Sequence, residues 1–339
     1  MTAADAVRLT AAYDVALLDL DGVVYLGAKS LPGVPIAVAG LGKMRLSYVT
    51  NNATRTPAEV WQQLAAMGLP GSAANVVTSC QAAAEVLRGL VDPGSAVLVV
   101  GAPALFEAVA AAGFSCVSTL EESPVAVVQG LSFALSYADL TEAALAIRTG
   151  LPWVATNTDA TLPTSRGLQP GNGAIVSALT TATGRTPVAA GKPQPALFET
   201  AARAIGAQRP LVVGDRLDTD IAGAHHARMD SLLVLSGVSS AADALSTAPS
   251  LRPNYVARDV GGLADEHPEV GGAGLERECR GWRASSSSAG LTLDGDGDAI
   301  DALRALMAVP IVASQIRPGG PAALRALQEL GIPTGGDTV

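Results

Sequence analysis

The chain is predicted to be an α/β protein: a doubly wound, Rossmann-like parallel sheet with a smaller α/β unit inserted into it and a C-terminal extension. Three observations predict this. Short apolar runs of strand length alternate with helix-length segments through short connections, as in parallel sheets covered on both faces. Residues of chemical interest sit where those runs end, and open α/β sheets bind ligands outside the carboxyl ends of their strands. A second strand–helix rhythm fills residues 96–184, between two parts of the first.

Residues 15–18, Val-Ala-Leu-Leu, read as a strand buried on both faces, and they end in Asp19-Leu20-Asp21-Gly22. Alternation along an extended chain puts Asp19 and Asp21 on one side. Two carboxylates at the end of a buried strand are costly to hold without a partner. A magnesium ion (Mg2+), which takes one or two carboxylates plus phosphate oxygens, would offset that cost. Gly22 lets the chain turn sharply. Residues 26–33 read as a loop and 34–42 as a short helix ended by glycine. A second strand, 46–49, leads into Thr50-Asn51-Asn52. Thr56 is placed as N-cap and Pro57 in the first turn of a helix over 58–67. Residues 75–78 form a third strand, and Ser79 can cap a helix over 81–90.

The inserted unit is predicted to hold strands at 96–100, 126–128 and 153–156 and helices at 102–112, 137–148 and 173–183. The main sheet resumes after Gly191-Lys192-Pro193 with a helix at 195–205 and a strand at 211–213. Gly214-Asp215, Asp218 and Asp220 follow, then a helix at 221–227 and a strand at 231–235. Beyond about residue 261 Gly, Ser and Asp dominate. A strand pair within 282–293 and helices at 298–308 and 322–330 are expected there, loosely packed and without identifiable chemistry. The resulting division is 1–79 with 187–263 as core, 80–186 as insert and 264–339 as appended module.

With 339 residues, 49% of them hydrophobic, the chain is long enough for two or three domains. A net charge of −9 removes the electrostatic footprint expected for nucleic-acid binding. No apolar stretch reaches the roughly 18 residues of a membrane span, and the first 14 residues lack the apolar core of a signal peptide. Cys80, Cys116 and Cys279 are odd in number and widely spaced, which fits free thiols in a reducing compartment. A cytoplasmic protein is expected. Lysine occurs only at 29, 43 and 192, against a background of arginine.

The words LLDLDGVVYLG, YVTNNATRT, ATNTDATLP, PGNGAI, AGKPQPALF and VVGDRLDTDIAGA, in this order, resemble the haloacid dehalogenase-like hydrolase superfamily. The similarity is to the large-cap branch that includes ribonucleotide, 4-nitrophenyl-phosphate, phosphoglycolate and glycerol-phosphate phosphatases, and it runs from about residue 14 to 263. The resemblance implies that Asp19 attacks phosphorus and forms an aspartyl-phosphate, and that Asp21 acts as general acid and then base. It implies one magnesium ion held by Asp19, the Asp21 carbonyl and Asp215, with Asp220 in support. It places phosphate on Thr50, the Asn51 N–H, Asn52 and Lys192. Residues 80–186 become a cap whose substrate-facing edge is residues 156–159, with Asn157 and Asp159, together with residues 170–173. Relatives often carry Asp where this chain has Ser132, which puts the cap contacts in question. The whole-chain resemblance runs to actinobacterial glycerol-3-phosphate phosphatases. A small phosphomonoester is therefore the expected substrate, glycerol 3-phosphate first, with phosphoglycolate or a nucleotide monophosphate as competitors. The alternative from another class is a regulatory or binding protein on a phosphatase scaffold. Relatives with cap-mediated dimers allow a homo-oligomer.

Plainer roles stand beside these. Asp19 and Asp21 could end a strand as turn residues, Thr50-Asn51-Asn52 could be an Asx turn, and Lys192 a solvated loop residue. Asp218 reads as a solvated loop acid. His225 and His226 are adjacent on a helix and do not share a face. Asp294-Gly-Asp296-Gly-Asp298 departs from a calcium loop because position twelve is Ala305, leaving an acidic turn before a helix.

Overall fold

The structure, a computed structural model, describes residues 6–27, 29–164, 166–288, 290–311 and 315–334. The first five residues of the segment read above for a signal peptide, and residues 289, 312–314 and 335–339 of the extension, lie outside the described residues. The chain divides into two compact units, Met1–Arg45 with Gln208–Val339, and Leu46–Ala207. That line is drawn differently from the three-part division above. The helix Ser79–Arg88 packs on both Ala196–Ile205 and Pro103–Ala111, which groups residues on either side of the insert with it.

The first unit is built on parallel strands in the order Tyr255–Ala257, Asp230–Val234, Pro210–Gly214, Val15–Asp19. Val15–Leu18 are fully buried, as a strand covered on both faces requires. Leu18 lies beside Val213, so Asp19 and Asp215 leave the sheet at the same end. A π-type turn, with Ile221 N–H donating to Arg216 O, precedes the helix Ala222–Ala227. Part of the stretch read as a loop at 26–33 is a small hairpin, Tyr25–Leu26 with Lys29–Ser30.

The extension is a packed layer, not the loose module expected. Glu276–Cys279, Trp282–Ser287 and Gly290–Gly295 form an antiparallel meander, with Ile316–Pro318 added parallel to its last strand. Helices Ala299–Ala308 and Pro321–Glu329 cover it. Trp282, Ala284, Leu291 and Leu293 point inward at every second position, among the Ser and Gly that masked the pattern. They share one buried cluster with Ala241, Leu245 and Val256, so the extension completes the core of the parallel sheet.

Arg252 joins the two layers. Its buried guanidinium donates to the carbonyls of Leu245, Thr247, Met307, Val309 and Ile311. These carbonyls lie at or just past the C-termini of helices Ala241–Ser246 and Ala299–Ala308. One cation therefore caps two helices at their negative ends.

His267 is buried against the same layer. Gly262 O can only accept and Arg304 can only donate, so Nε2 carries the proton (2.7 Å) and Nδ1 accepts (3.2 Å). Burial, and then the Arg304 cation, push the imidazole below its ordinary value of 6.5. A folded state that resists protonation loses stability as pH falls below the unfolded value, and retains it above. Thermal melts are expected to show midpoints falling as pH drops from neutrality past about 6.5, with a shallower fall in His267→Gln. Equal slopes for both proteins would refute this.

The second unit carries a parallel sheet in the order Val188–Ala189, Trp153–Ala155, Ala126–Gln129, Ala96–Val100, Ser115–Val117. The edge strand Ser115–Val117 and the hairpin Thr161–Thr164 with Gly167–Pro170 were not anticipated. Thr56 caps Pro57–Ala66 with a full capping box to Glu59. All three cysteines are free. Burial pushes the Cys80 and Cys279 thiols up to about 12, where they are inert.

Candidate active site

Two polar clusters emerge, one in each unit. In the first unit Asp19, Asp215 and Asp220 each bring a carboxylate oxygen within 4.8 Å of the others, and all three residues are buried. Each leaves a strand end or the turn after it, which is why residues some 200 positions apart meet. Three buried carboxylates this close repel one another and lose hydration. A hard dication answers both, and an all-oxygen donor set suits magnesium. Asp220 thus stands with the two acids. Its Oδ2 also accepts from Arg216 N–H at 3.1 Å. The Asp21 side chain is exposed, which suits a group that must reach a substrate oxygen. Asp218 pairs with Arg216 at the surface, as a solvated acid would.

Sequence reasoning missed what moulds this cluster. Val238 N–H donates to Asp215 Oδ2 at 2.7 Å, and Ser236 Oγ donates to Gly22 O at 2.7 Å. A Cβ at Gly237 or Gly22 would overlap the Asp215 carboxylate, and one at Gly214 would overlap Asp220. Gly22 also has φ +84°, where other residues are strained. The signal available was Gly214 immediately before Asp215; nothing marked residues 236–238.

The second unit gathers Thr50, Asn51, Asn52, Asn157, Asp159 and Lys192. Lys192 is 4% exposed, which excludes the solvated-loop role. Asn51 Oδ1 accepts from Lys192 N–H (2.8 Å), and its Nδ2 donates to Lys192 O (3.1 Å) and to both Asp159 oxygens (3.2 and 3.3 Å). Its side chain is therefore spent on holding two other loops. Asn157 Nδ2 donates to Asn51 O at 2.8 Å. Asn52 Oδ1 accepts from Thr54 N–H, Thr54 Oγ1 and Arg55 N–H, so the Asx turn is present. Thr50 Oγ1 accepts from Asn52 N–H at 3.2 Å. Ser132 Oγ accepts from Ala134 N–H and closes its own turn. Asn172, placed above on a substrate-facing edge, is instead buried at 1% exposure.

A haloacid dehalogenase-like hydrolase model matches residues 16–115, and a HAD-hydrolase-like model matches residues 189–263. The D-glycerol 3-phosphate phosphatase of Mycobacterium tuberculosis is 45% identical over 289 residues, 85% of this chain and 80% of that protein. The chain belongs to the haloacid dehalogenase-like hydrolases. Within that family, an acid sugar phosphatase of Staphylococcus saprophyticus is 35% identical over 258 residues, 75% of this chain and 98% of that protein. The crystal structure of a Mycobacterium tuberculosis glycerol phosphate phosphatase in complex with magnesium superposes with a TM-score of 0.89. It is 41% identical and covers 96% of this chain and 99% of its own. This hydrolase carries Asp at positions 19, 21, 215 and 220. Among the described residues no helix is long and apolar enough to cross a membrane.

Proposed function

We propose that the chain is a magnesium-dependent phosphatase of small phosphomonoesters, with glycerol 3-phosphate as its substrate. The observation that carries the reading is the buried Asp19–Asp215–Asp220 cluster, in a chain so similar to a D-glycerol 3-phosphate phosphatase. Asp19, Asp215 and the Asp21 carbonyl would hold the ion, beside Asp220. When bound, it offsets the repulsion between an anionic nucleophile and an anionic phosphoryl group.

Asp19 forms an O–P bond as the P–O bond to the leaving alkoxide breaks, and Asp21 gives that oxygen its proton. Asp21, now a carboxylate, takes a proton from water as the water attacks the aspartyl-phosphate and releases inorganic phosphate. Lys192, Thr50 and the Asn51 N–H are the proposed donors to the phosphoryl oxygens, which makes charge stabilisation and positioning the main contributions. Asn157 and Asp159 are proposed at the substrate-facing side of the cap. The same reading places the enzyme in the cytoplasm; a homo-oligomer remains part of the proposal.

The test is phosphate release by purified protein from glycerol 3-phosphate, phosphoglycolate, nucleotide monophosphates and 4-nitrophenyl phosphate, with and without magnesium. Glycerol 3-phosphate is expected to give the highest kcat/KM, and chelation to abolish turnover of all four. Equal turnover of the four esters would overturn the glycerol-phosphate assignment. No release from any of them with magnesium present would overturn the phosphatase reading.

A further inference from the structure

Gln129 ends the strand Ala126–Gln129 and is fully buried. Its Nε2 donates to Asn172 Oδ1, and Asn172 Nδ2 donates to Asn157 O (2.7 Å) and Thr156 Oγ1 (3.4 Å). Asn157 Nδ2 continues to Asn51 O, and Asn51 grips Lys192 at both its N–H and its C=O. Four side-chain amides, joined through the main-chain carbonyls of Asn157 and Asn51, thus connect the insert's sheet to the Lys192 backbone. Gln129, Asn172, Asn157 and Lys192 are each 5% exposed or less.

The backbone around the relay is built for close approach. Gly171 and Gly173 flank Asn172, and a Cβ on either would overlap the carbonyl of Asp159 or Thr158. Gly173 N–H donates to Asp159 O at 2.8 Å. The first turn of the helix Asn172–Thr183 is therefore seated on residues 156–159. Core stability does not call for this much polarity. A buried amide is worth only about 1 kcal/mol net per hydrogen bond made, and an unmade bond costs about 1–3 kcal/mol. Among the described residues Gln129 Oε1 is such an unmade bond. An apolar side chain of similar size at 129 would remove that unmade bond and, in exchange, leave Asn172 Oδ1 and Gly130 O without the Gln129 donor.

We propose that Asn172, seated by Gln129, is a positioning residue that acts through Asn157 and Asn51 to set where the Lys192 ammonium stands in the transition state. The inference rests on the role of Lys192 given above. A side chain that acts only by placing a charge affects the transition state more than the ground state. Asn172→Asp is nearly isosteric but loses the donor to Asn157 O. It is expected to lower kcat at least tenfold and to weaken orthovanadate binding by a similar factor, with KM for glycerol 3-phosphate changed less than threefold. Gln129→Met keeps the bulk, and it removes both the unmade bond and the donor to Asn172 Oδ1, two changes that oppose each other. It is expected to lower kcat severalfold with a melting temperature within a few degrees of wild type. It carries the test if Asn172→Asp fails to fold.

The deciding measurement is a double-mutant cycle in single-turnover phosphate release. In a Lys192→Ala background, Asn172→Asp (or Gln129→Met) is expected to cause no further loss, because the group it places is gone. Losses that multiply, or an unchanged kcat in both single variants, would overturn the proposal. Wild-type protein runs alongside. If it releases no phosphate the enzyme reading itself fails, whereas an active wild type with unaffected variants removes only the relay.

Discussion

Asp19→Asn protein is expected to lose about a thousandfold or more of its phosphate release. The amide cannot attack phosphorus, so the covalent route closes rather than slows. The same change removes a negative charge from the cluster with Asp215 and Asp220, so magnesium affinity should fall as well. Asp21→Asn separates the two effects. Its side chain is exposed and outside that cluster, so magnesium binding should hold while release drops by about a hundredfold to ten-thousandfold, as for loss of a general acid. Acid-quenched protein examined by intact mass should carry a phosphoryl group in wild type and none in Asp19→Asn. Wild-type release rates from Asp19→Asn would sink the mechanism.

Arg252→Ala is expected to destabilise the first unit by at least ~3 kcal/mol, because five carbonyls lose a charged donor in a place water cannot easily fill. For a unit of this size that corresponds to roughly 6–12 °C in melting temperature. Arg252→Lys should recover little. A single ammonium with three donors cannot span carbonyls fanned out from two helix ends, whereas a guanidinium with five can. Thermal melts of the three proteins measure this. A midpoint for Arg252→Ala within about 1 °C of wild type would show that the carbonyls find other partners.

Much of this was legible in the sequence where a local rule applies. Val15–Leu18 is buried on both faces because nothing in it is polar. Thr56 and Pro57 wrote a helix start that the structure uses, and Glu59 completes it as a capping box. A parallel sheet let Asp19 and Asp215 meet at its strand ends, and the family resemblance paired them. What stayed hidden depends on long-range contact. Residues 236–238 wrap Asp215 without any motif to mark them. The resemblance put Asn172 on a substrate-facing edge, yet the glycines on either side of it serve close packing and the amide is buried. The extension looked loose because its inward residues alternate with Ser, Gly and Asp, and because Trp282 and Leu303 belong to a buried cluster shared with Val256 of another layer.

That shared core has a consequence for how the molecule is made. Ala241, Leu245 and Val256 are synthesised before Trp282, Leu303 and Leu327, which share their buried cluster. Val15–Asp19 waits longer still for its neighbour Pro210–Gly214. The nascent polypeptide therefore carries wet apolar surface until the helices Ala299–Ala308 and Pro321–Glu329 emerge, and the unit that holds Asp19 matures only after them.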